Sequence, residues 1–515
     1  MELCHRLRLC DKLIIHIINN GKKIGSGVYA DIYLCDFTSE IKYKKYINDS
    51  KKQISWKIFK CEKKSNDLYR DFLKETSNSA YYEKNDHILS IDNILIGNIY
   101  CAYSMELYNG NLTDLMMKKT LEERINLSKQ IFEQMFISLY ILKKNGIIHR
   151  DIKPSNILYF YKDNTLRVKL IDFGLTENTF NVNKKHNIDA YALWLKAPEI
   201  ILGENTEEYK IPYDYQADIW AMGISLFKFL TGSYITKKMT KDKIINGMLK
   251  DCCYDKPVNN FYNDLLSSKI NININIKYEM EKILGDKFKL IPSDLIDLLS
   301  KMLHYDPNIR INVEDAIQLL NLDISNNNDC ITLNEDCKRI DYIALPSAIN
   351  DIEINTNIKA DIFHHMIAIC KRLSLDFETI VICLDLFDRF VSINFSIIDN
   401  FEIIAYSCLL LASKFVDCYN ITPRIVAEWY SRKFKKSYYL NNLTENLVCC
   451  QKAILIDIDH RLYNNEIDIL IKKIYELIDK YEVDRWFVLN ELVKINTSKF
   501  TYQEIIDKLI QEIVH

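Results

Sequence analysis

Glycine and proline are scarce in this 515-residue chain, with 12 and 8 copies. That excludes a collagen-like or low-complexity polymer. Neither sign of charge is in excess. The 67 basic and 70 acidic residues leave a net charge of −3, too balanced for a protein that coats nucleic acid or an anionic membrane. No apolar run reaches the roughly 18 residues that a membrane-spanning helix needs. No cysteines stand at zinc-ligand spacing. The 15 of them scatter, and Cys252/Cys253 and Cys449/Cys450 are merely adjacent. Neither a disulfide framework nor a zinc site is expected. Met1 to Asp11 holds Arg6 and Arg8 but lacks the apolar core of a secretory signal. The expected setting is intracellular and reducing, cytoplasmic or nuclear.

What is present reads as globular: 48% hydrophobic and 27% charged residues. At about 100–200 residues per domain, the length suggests about three folding units. The first 110 or so residues read as strands with one helix. Ile24 to Leu34 alternates around glycines, Ile54 to Phe59 is strand-like, Asp67 to Tyr82 is helical, and Cys101 to Leu107 is a short apolar strand. From Leu121, Ile125, Leu127, Ile131, Phe132, Met135, Leu139 and Leu142 recur at helical spacing. Leu166 to Ile171 is a short buried strand after an Asp163-Asn164 turn. Helices dominate from Asp214 to Leu320. Ile270 to Ile276 alternates with asparagine and reads as a low-complexity loop. Leu322 to Ile349 is polar and aperiodic, a linker, and an almost all-helical block follows to His515. No internal repeat is visible.

Chemistry enters with Gly25-Ser26-Gly27. Two glycines two apart let backbone N–H groups approach phosphates, although such a loop is also an ordinary hairpin. Lys57 lies on the next strand, where a lone lysine is commonly a solvated edge. The ordered set of motifs outweighs these readings. His149-Arg150-Asp151-Ile152-Lys153-Pro154-Ser155-Asn156 follows an amphipathic helix, and Ile171-Asp172-Phe173-Gly174 follows a strand. Ala197-Pro198-Glu199, Asp218-Ile219-Trp220-Ala221-Met222-Gly223 and Arg310 come after.

With these motifs the chain resembles a eukaryotic serine/threonine protein kinase over about residues 18–322. The resemblance implies an α+β two-lobed protein kinase fold, with a small lobe at about 18–107, a large lobe at about 108–322, and ATP and Mg²⁺ as cofactors. By resemblance, Ile24-Gly25-Ser26-Gly27-Val28-Tyr29-Ala30-Asp31-Ile32 covers the nucleotide, with Ala30 in place of a third glycine. Lys57 holds phosphates and pairs with a helix glutamate. Glu75 is the choice over Glu62 and Glu83. Met105 stands at the gatekeeper position, and the backbone of Glu106 and Tyr108 meets adenine. Asp151 accepts or orients the substrate hydroxyl, and Lys153 steadies the γ-phosphate. Asn156 and Asp172 hold metal. Glu199 and Arg310 form a structural ion pair.

Leu193-Trp194-Leu195-Lys196-Ala197-Pro198-Glu199 and Leu299 to Arg310 resemble cyclin-dependent kinases in particular. Those kinases carry a phosphorylated threonine in this loop, its phosphate clamped by three arginines. Here Asn187 takes the threonine position, and Arg150, Lys74 and Glu177 take the arginine positions. A glutamate repels a phosphate, so the loop is expected to need no activating phosphorylation. Ala192 replaces a threonine that braces Asp151 and Lys153. Lys196 replaces an arginine linked with proline preference, so proline-directed specificity is not implied. Tyr29 matches a tyrosine whose phosphorylation inhibits relatives, but reads more readily as an aromatic cap over the loop.

Beyond a linker at 323–345, residues 346–464 resemble a cyclin box, an all-α cyclin-like helical domain. The likeness rests on Phe387-Asp388-Arg389-Phe390-Val391, on Ala405 to Phe415, on the upstream stretch from Ile358 to Thr379 and on Ile454 to Leu462. By that resemblance Lys359 and Asp388 pair, and Lys414 is the lysine that contacts the kinase. Gln451 stands where its glutamate companion belongs. Asp361 and His365 interrupt the patch that docks substrates in cell-cycle cyclins. Residues 465–515 form a helical extension, too short for a second cyclin fold. A linker of about 25 residues spans roughly 25–30 Å and sets an effective concentration near millimolar. The expected function is a kinase activated in cis by its own cyclin box, acting on protein serines and threonines. The alternatives are a catalytically weak scaffold that recruits other proteins, and pairing in trans with other kinases or cyclins. Arg432 to Lys436 is the basic cluster of the cyclin-like helices and supports nucleic-acid binding only weakly; neither nucleic acid nor membrane is an expected partner.

Overall fold

The computed structural model describes residues 2–27, 30–36, 53–60, 72–76, 85–97, 99–178, 185–187, 191–203, 210–235, 241, 244–246, 248, 274–322, 356–373, 375–394, 401–416, 421–434, 440–457, 465–481, 483–494 and 502–514. The first element is a helix, α1 (Glu2–Asn20). The sequence pattern assigns one helix to the first 110 residues, and it is not this one. Leu3, Leu7, Cys10, Ile14 and Ile17 of α1 recur at helical spacing. The helix matters because Leu13, Ile14 and Ile17 are buried against Cys35, Ile54, Trp56, Ile58, Leu95 and Ala102. Each such side chain contributes about 1.5–3 kcal/mol of burial.

The partner of α1 is an antiparallel sheet of β1 (Lys22–Ser26), β2 (Ala30–Asp36), β3 (Gln53–Lys60), β4 (Asn93–Ile96) and β5 (Tyr100–Met105), in the order β1-β2-β3-β5-β4. Period-two alternation divides β3. Ile54, Trp56 and Ile58 join the α1 cluster. Phe59 instead meets Phe72 of the helical segment 72–76, ring centroids 5.3 Å apart. The β4–β5 turn is held from α1. Asp11 Oδ1 accepts the amides of Ile99 at 3.0 Å and Tyr100 at 3.3 Å. A Cβ on Gly97 would stand 2.1 Å from that oxygen, so no side chain fits there.

The next elements are β6 (Gly110–Asn111), α2 (Leu112–Lys118) and α3 (Leu121–Lys144). α3 starts where its pattern predicts, closed by a capping box between Thr120 and Glu123. Then come β7 (Ile147–Ile148), β8 (Ile157–Lys162), β9 (Thr165–Leu170), β10 (Glu177–Asn178) and β11 (Lys185–Asn187). Asp163 and Asn164 turn the β8–β9 hairpin at φ 50° and 61°, left-handed values that suit Asp and Asn. After α4 (Pro198–Gly203) and β12 (Lys210–Pro212), α5 (Gln216–Thr231) is buried from Ala217 to Leu226, the mark of a central helix. α6 (Ile276–Leu284), α7 (Ser293–Met302) and α8 (Val313–Leu319) follow. The loop predicted at Ile270 to Ile276 is corrected at its end. The Asn275 side chain caps α6, and Ile276, its first residue, is buried. Residues 270–273 lie outside the described residues, as does the linker 323–345.

The C-terminal block is helical: α9 (Thr356–Leu373), α10 (Glu378–Asn394), α11 (Phe401–Val416), α12 (Pro423–Phe434), α13 (Leu440–Asp457), α14 (Asn465–Tyr481), α15 (Arg485–Lys494) and α16 (Tyr502–Val514). α11 is buried from Ile404 to Lys414, as its small residues Ala405, Ala412 and Ser413 suggest. The extension packs on α9 and α10. There Tyr475 donates its hydroxyl to Glu378 Oε1 at 2.9 Å and its ring meets Phe377.

The chain divides into two compact units. One is Met1–Glu83 with Ser90–Leu107 and Leu333–His515. The other is Lys84–Leu89 with Tyr108–Thr332. The small lobe thus shares a unit with the helical block, whereas the sequence draws its boundary at 323–345. Within that unit, Lys452 Nζ on α13 donates to the Gly97 carbonyl at 2.9 Å. The β4–β5 turn is therefore gripped by Asp11 and by Lys452.

Candidate active site

In the first unit, Lys57 sits on the face of β3 opposite α1, in register with Tyr103 of β5. Its Nζ donates to both carboxylate oxygens of Glu75, at 2.7 and 2.8 Å. Tyr103 donates its hydroxyl to Glu75 Oε1 at 2.6 Å. Glu75 is 2% exposed, and a carboxylate so buried needs such partners. The choice of Glu75 rather than Glu62 or Glu83 therefore has a geometric basis, although the latter two lie outside the described residues. Tyr103 was not legible as a partner, because its link to Glu75 depends on the register of β3 and β5.

Before Lys57, β1 and β2 pair antiparallel. Gly27 N–H donates to the Ala30 carbonyl at 2.8 Å. The Asp31 carboxylate accepts from Ser26 Oγ at 2.7 Å and pairs with Lys23 at 2.8 Å. Gly25 and Ile32 are paired across β1 and β2, Ile24 is exposed, and Val28 and Tyr29 lie outside the described residues. At the end of β5, Met105 is buried and the Glu106 carbonyl accepts Ser55 Oγ at 3.4 Å.

In the second unit, Tyr108 packs edge-on against Phe160 of β8. Asp151 Oδ2 accepts from Lys153 Nζ at 2.6 Å and from Asn156 Nδ2 at 2.8 Å. The same Asn156 nitrogen lies 2.9 Å from the Asp151 carbonyl, which pins the loop across its own turn. Burial pushes the Asp151 carboxyl above the ordinary range, against the pull of Lys153. His149 accepts the Asp151 amide at Nδ1 and so donates from Nε2 to the Ile171 carbonyl. Burial lowers its pKa to about 4, and it serves as a neutral strut. Ile171 N–H returns to the Asn156 carbonyl at 3.0 Å. Asp172 follows at φ 72°, a strained value for a residue with a Cβ. Arg150 at 67° and Tyr191 at 64° share that strain.

The anchor of this loop is Asp218, fully buried on α5. It accepts the amides of His149 at 2.6 Å and Arg150 at 2.9 Å, and the Tyr191 hydroxyl at 2.8 Å. Burial outweighs these donors and raises its pKa to about 6. The sequence marks Asp218 as part of a motif but not as this anchor. Arg310 makes the expected fork to Glu199, two bonds of 2.9 Å, and also donates to the Gln216 and His304 carbonyls. Of the three clamp positions, Lys74 is buried, and Arg150 and Glu177 pair at 2.5 Å. The Asn187 side chain lies outside the described ones.

In the helical block, Lys414 donates to Gln451 at 2.7 Å. Burial, with the nearby Lys452 charge, lowers its pKa to about 8. Arg389 pairs with Asp385 one turn before it. The Lys359 side chain, the expected partner of Asp388, is outside the described ones, as is that of Asp361. His365 meets the Tyr406 hydroxyl at 2.6 Å. Lys452, which the sequence does not single out, reaches the small lobe at the Gly97 carbonyl.

Residues 18–320 match the model of the protein kinase domain, and 330–456 match the cyclin N-terminal domain. The chain belongs to the protein kinase family. It is a kinase fold of the cyclin-dependent type joined to a cyclin box. Cyclin-dependent kinase C-2 of rice is 26% identical over 306 residues, 58% of this chain and 57% of the relative. The protein of that name in Arabidopsis thaliana is 26% identical over 315 residues, 58% of this chain and 57% of the relative. Cyclin-dependent kinase 12 of Drosophila is 29% identical over 190 residues, 36% of this chain and 16% of the relative. The chain thus spans little more than half the length of the first two. Members of the protein kinase family use ATP and a divalent metal. The amide oxygen of Asn156 and the carboxylate of Asp172 are hard donors of the kind Mg²⁺ takes beside substrate phosphates. Among the described residues, no helix is long and apolar enough to cross a membrane.

Proposed function

We propose that this chain is an ATP- and Mg²⁺-dependent serine/threonine protein kinase, held active in cis by its own cyclin box. The observation that carries the reading is the closed Lys57–Glu75 pair in the same compact unit as the cyclin box. In cyclin-dependent kinases that pair is what cyclin binding restores. The Lys452–Gly97 bond supports a contact within one chain. Lys57 would hold the α- and β-phosphates beneath the loop from Ile24 to Ile32. The backbone at Glu106 and Tyr108 would meet adenine.

Asn156 and Asp172 would hold the metal, which when bound neutralises charge on the phosphates. Asp151 takes or orients the substrate hydroxyl proton, helped by its raised affinity for protons. Lys153, already on Asp151 Oδ2, offers its charge to the transferring group. Charge placement of this kind supplies most of the catalysis in phosphoryl transfer. The partners are protein serines and threonines inside a cell. Lys196 argues against a requirement for proline after the acceptor.

The test is phosphate transfer from radiolabelled ATP to a peptide array, with Asp151→Asn and Lys57→Met as blanks. A protease site placed within 323–345 tests activation in cis. Cutting and then diluting the protein removes an effective concentration near millimolar, so activity should fall with dilution only after the cut. Equal activity in the blanks refutes the kinase and favours a scaffold. Activity that survives the cut at every dilution refutes control in cis.

A further inference from the structure

Arg150 directly precedes Asp151, and its environment is unusual. Its amide is tied to Asp218, its φ is 67°, and its side chain is 6% exposed. A guanidinium buried to that extent needs an anion, since breaking such a pair leaves an uncompensated charge. The nearest such anion is Glu177, whose Oε1 lies 2.5 Å from Arg150 Nη1 with its own side chain 7% exposed, while the buried Asp218 carboxylate also feels the Arg150 charge. The backbone fixes Glu177 independently. β10 pairs with β7, Glu177 opposite Ile148 and Asn178 opposite Ile147, just ahead of Arg150. On the other side, Thr176 closes a turn back to Phe173, with both its amide and its hydroxyl on that carbonyl. One short stretch therefore runs from Asp172 to the Arg150 anion with its backbone pinned at both ends.

We propose that Glu177 is a positioning residue whose resident carboxylate does the work of a loop phosphate, holding Arg150, and through it Asp151, ready for transfer without modification of the chain. The proposal rests on the kinase reading above. Glu177 is not assigned any contact with nucleotide or substrate; it acts through the guanidinium. A phosphate arriving at the same arginine would meet a carboxylate already in place and be repelled by it.

The test uses the full chain. Glu177→Gln keeps the shape and removes the charge. Its kcat should fall by about 10- to 100-fold, the scale of a small misplacement of a catalytic group, with KM for ATP and peptide unchanged. Glu177→Asp keeps the charge on a shorter arm and should fall between Gln and wild type. Phosphatase treatment should leave the wild-type rate unchanged. An unchanged kcat in Glu177→Gln overturns the proposal. So does an equal loss in Gln and Asp with KM raised and the melting temperature lowered, which is a structural role. So does a wild type that phosphatase silences. If Glu177→Gln does not fold, Glu177→Asp decides: kcat lowered at constant KM supports positioning, and unchanged kcat overturns it. A wild type no faster than Asp151→Asn marks failure of the kinase reading itself, before any Glu177 variant is compared, and the proposal falls with it.

Discussion

Glu75→Gln isolates the electrostatics of the small lobe with little change of shape. In the native chain one carboxylate takes both bonds from Lys57 and one from Tyr103, all at 2.6–2.8 Å. The amide leaves a buried ammonium facing a neutral oxygen and an N–H₂ that cannot accept. A hydrogen bond to a charged group contributes about 1.5–3 kcal/mol, which converts to a fall of about 10- to 150-fold in kcat/KM for ATP. Tyr103→Phe keeps the carboxylate and the lysine and loses one bond to the carboxylate, so about 1.5 kcal/mol or roughly tenfold is expected. The assay is steady-state transfer from labelled ATP, with thermal melting to confirm that each variant folds. The double variant Lys57→Met/Glu75→Gln should be hardly worse than Lys57→Met, since the two residues act as one unit. A Glu75→Gln rate within twofold of wild type, or full additivity with Lys57→Met, refutes the role given to the pair.

Three further outcomes are expected. Arg310→Met strands a buried Glu199 and should cost about 3–5 kcal/mol, read as a lowered unfolding midpoint; an unmoved midpoint refutes the load assigned to the fork. Lys452→Met removes a charged donor worth about 1.5–3 kcal/mol from the Gly97 carbonyl. Activity should fall about tenfold or more at any protein concentration, and a wild-type rate would show the bond to be idle. Asp218 titrates at about 6 in the fold against about 3.9 in the unfolded chain. Between those values the folded state binds more protons, so this group by itself makes the fold more stable as pH falls. Its protonation nevertheless weakens the acceptor under the catalytic loop and turns one of its oxygens into a donor, so kcat should drop as pH falls through about 6. His149, neutral down to about 4, does not contribute, and a rate flat from about pH 8 to 5 refutes the anchor role.

Legibility in the sequence followed the range of the interaction. α3 is readable because its stripe and its capping box are local. Lys57 and Asp151 are readable because their chemistry comes with fixed neighbours. α1 carries its own helical stripe of Leu3, Leu7, Cys10, Ile14 and Ile17, but the sheet face that receives its last turns is set only by tertiary packing. Glu177 is the instructive case. Its charge reads from the sequence as hostile to a phosphate, but not as the counterion of Arg150, because the β7–β10 pairing that brings the two together is only two residues long.

The linear order of residues thus determined the two modules, the motif positions and the alternation that aims Lys57 away from α1, because these depend on spacing along one strand or helix. Tertiary structure alone decided the partners: Tyr103 on Glu75 across 28 residues, Asp218 beneath His149 across 69, and Lys452 on Gly97 across 355. A buried charge takes whichever complementary group the packed backbone delivers, and separation in sequence carries no trace of which one that is.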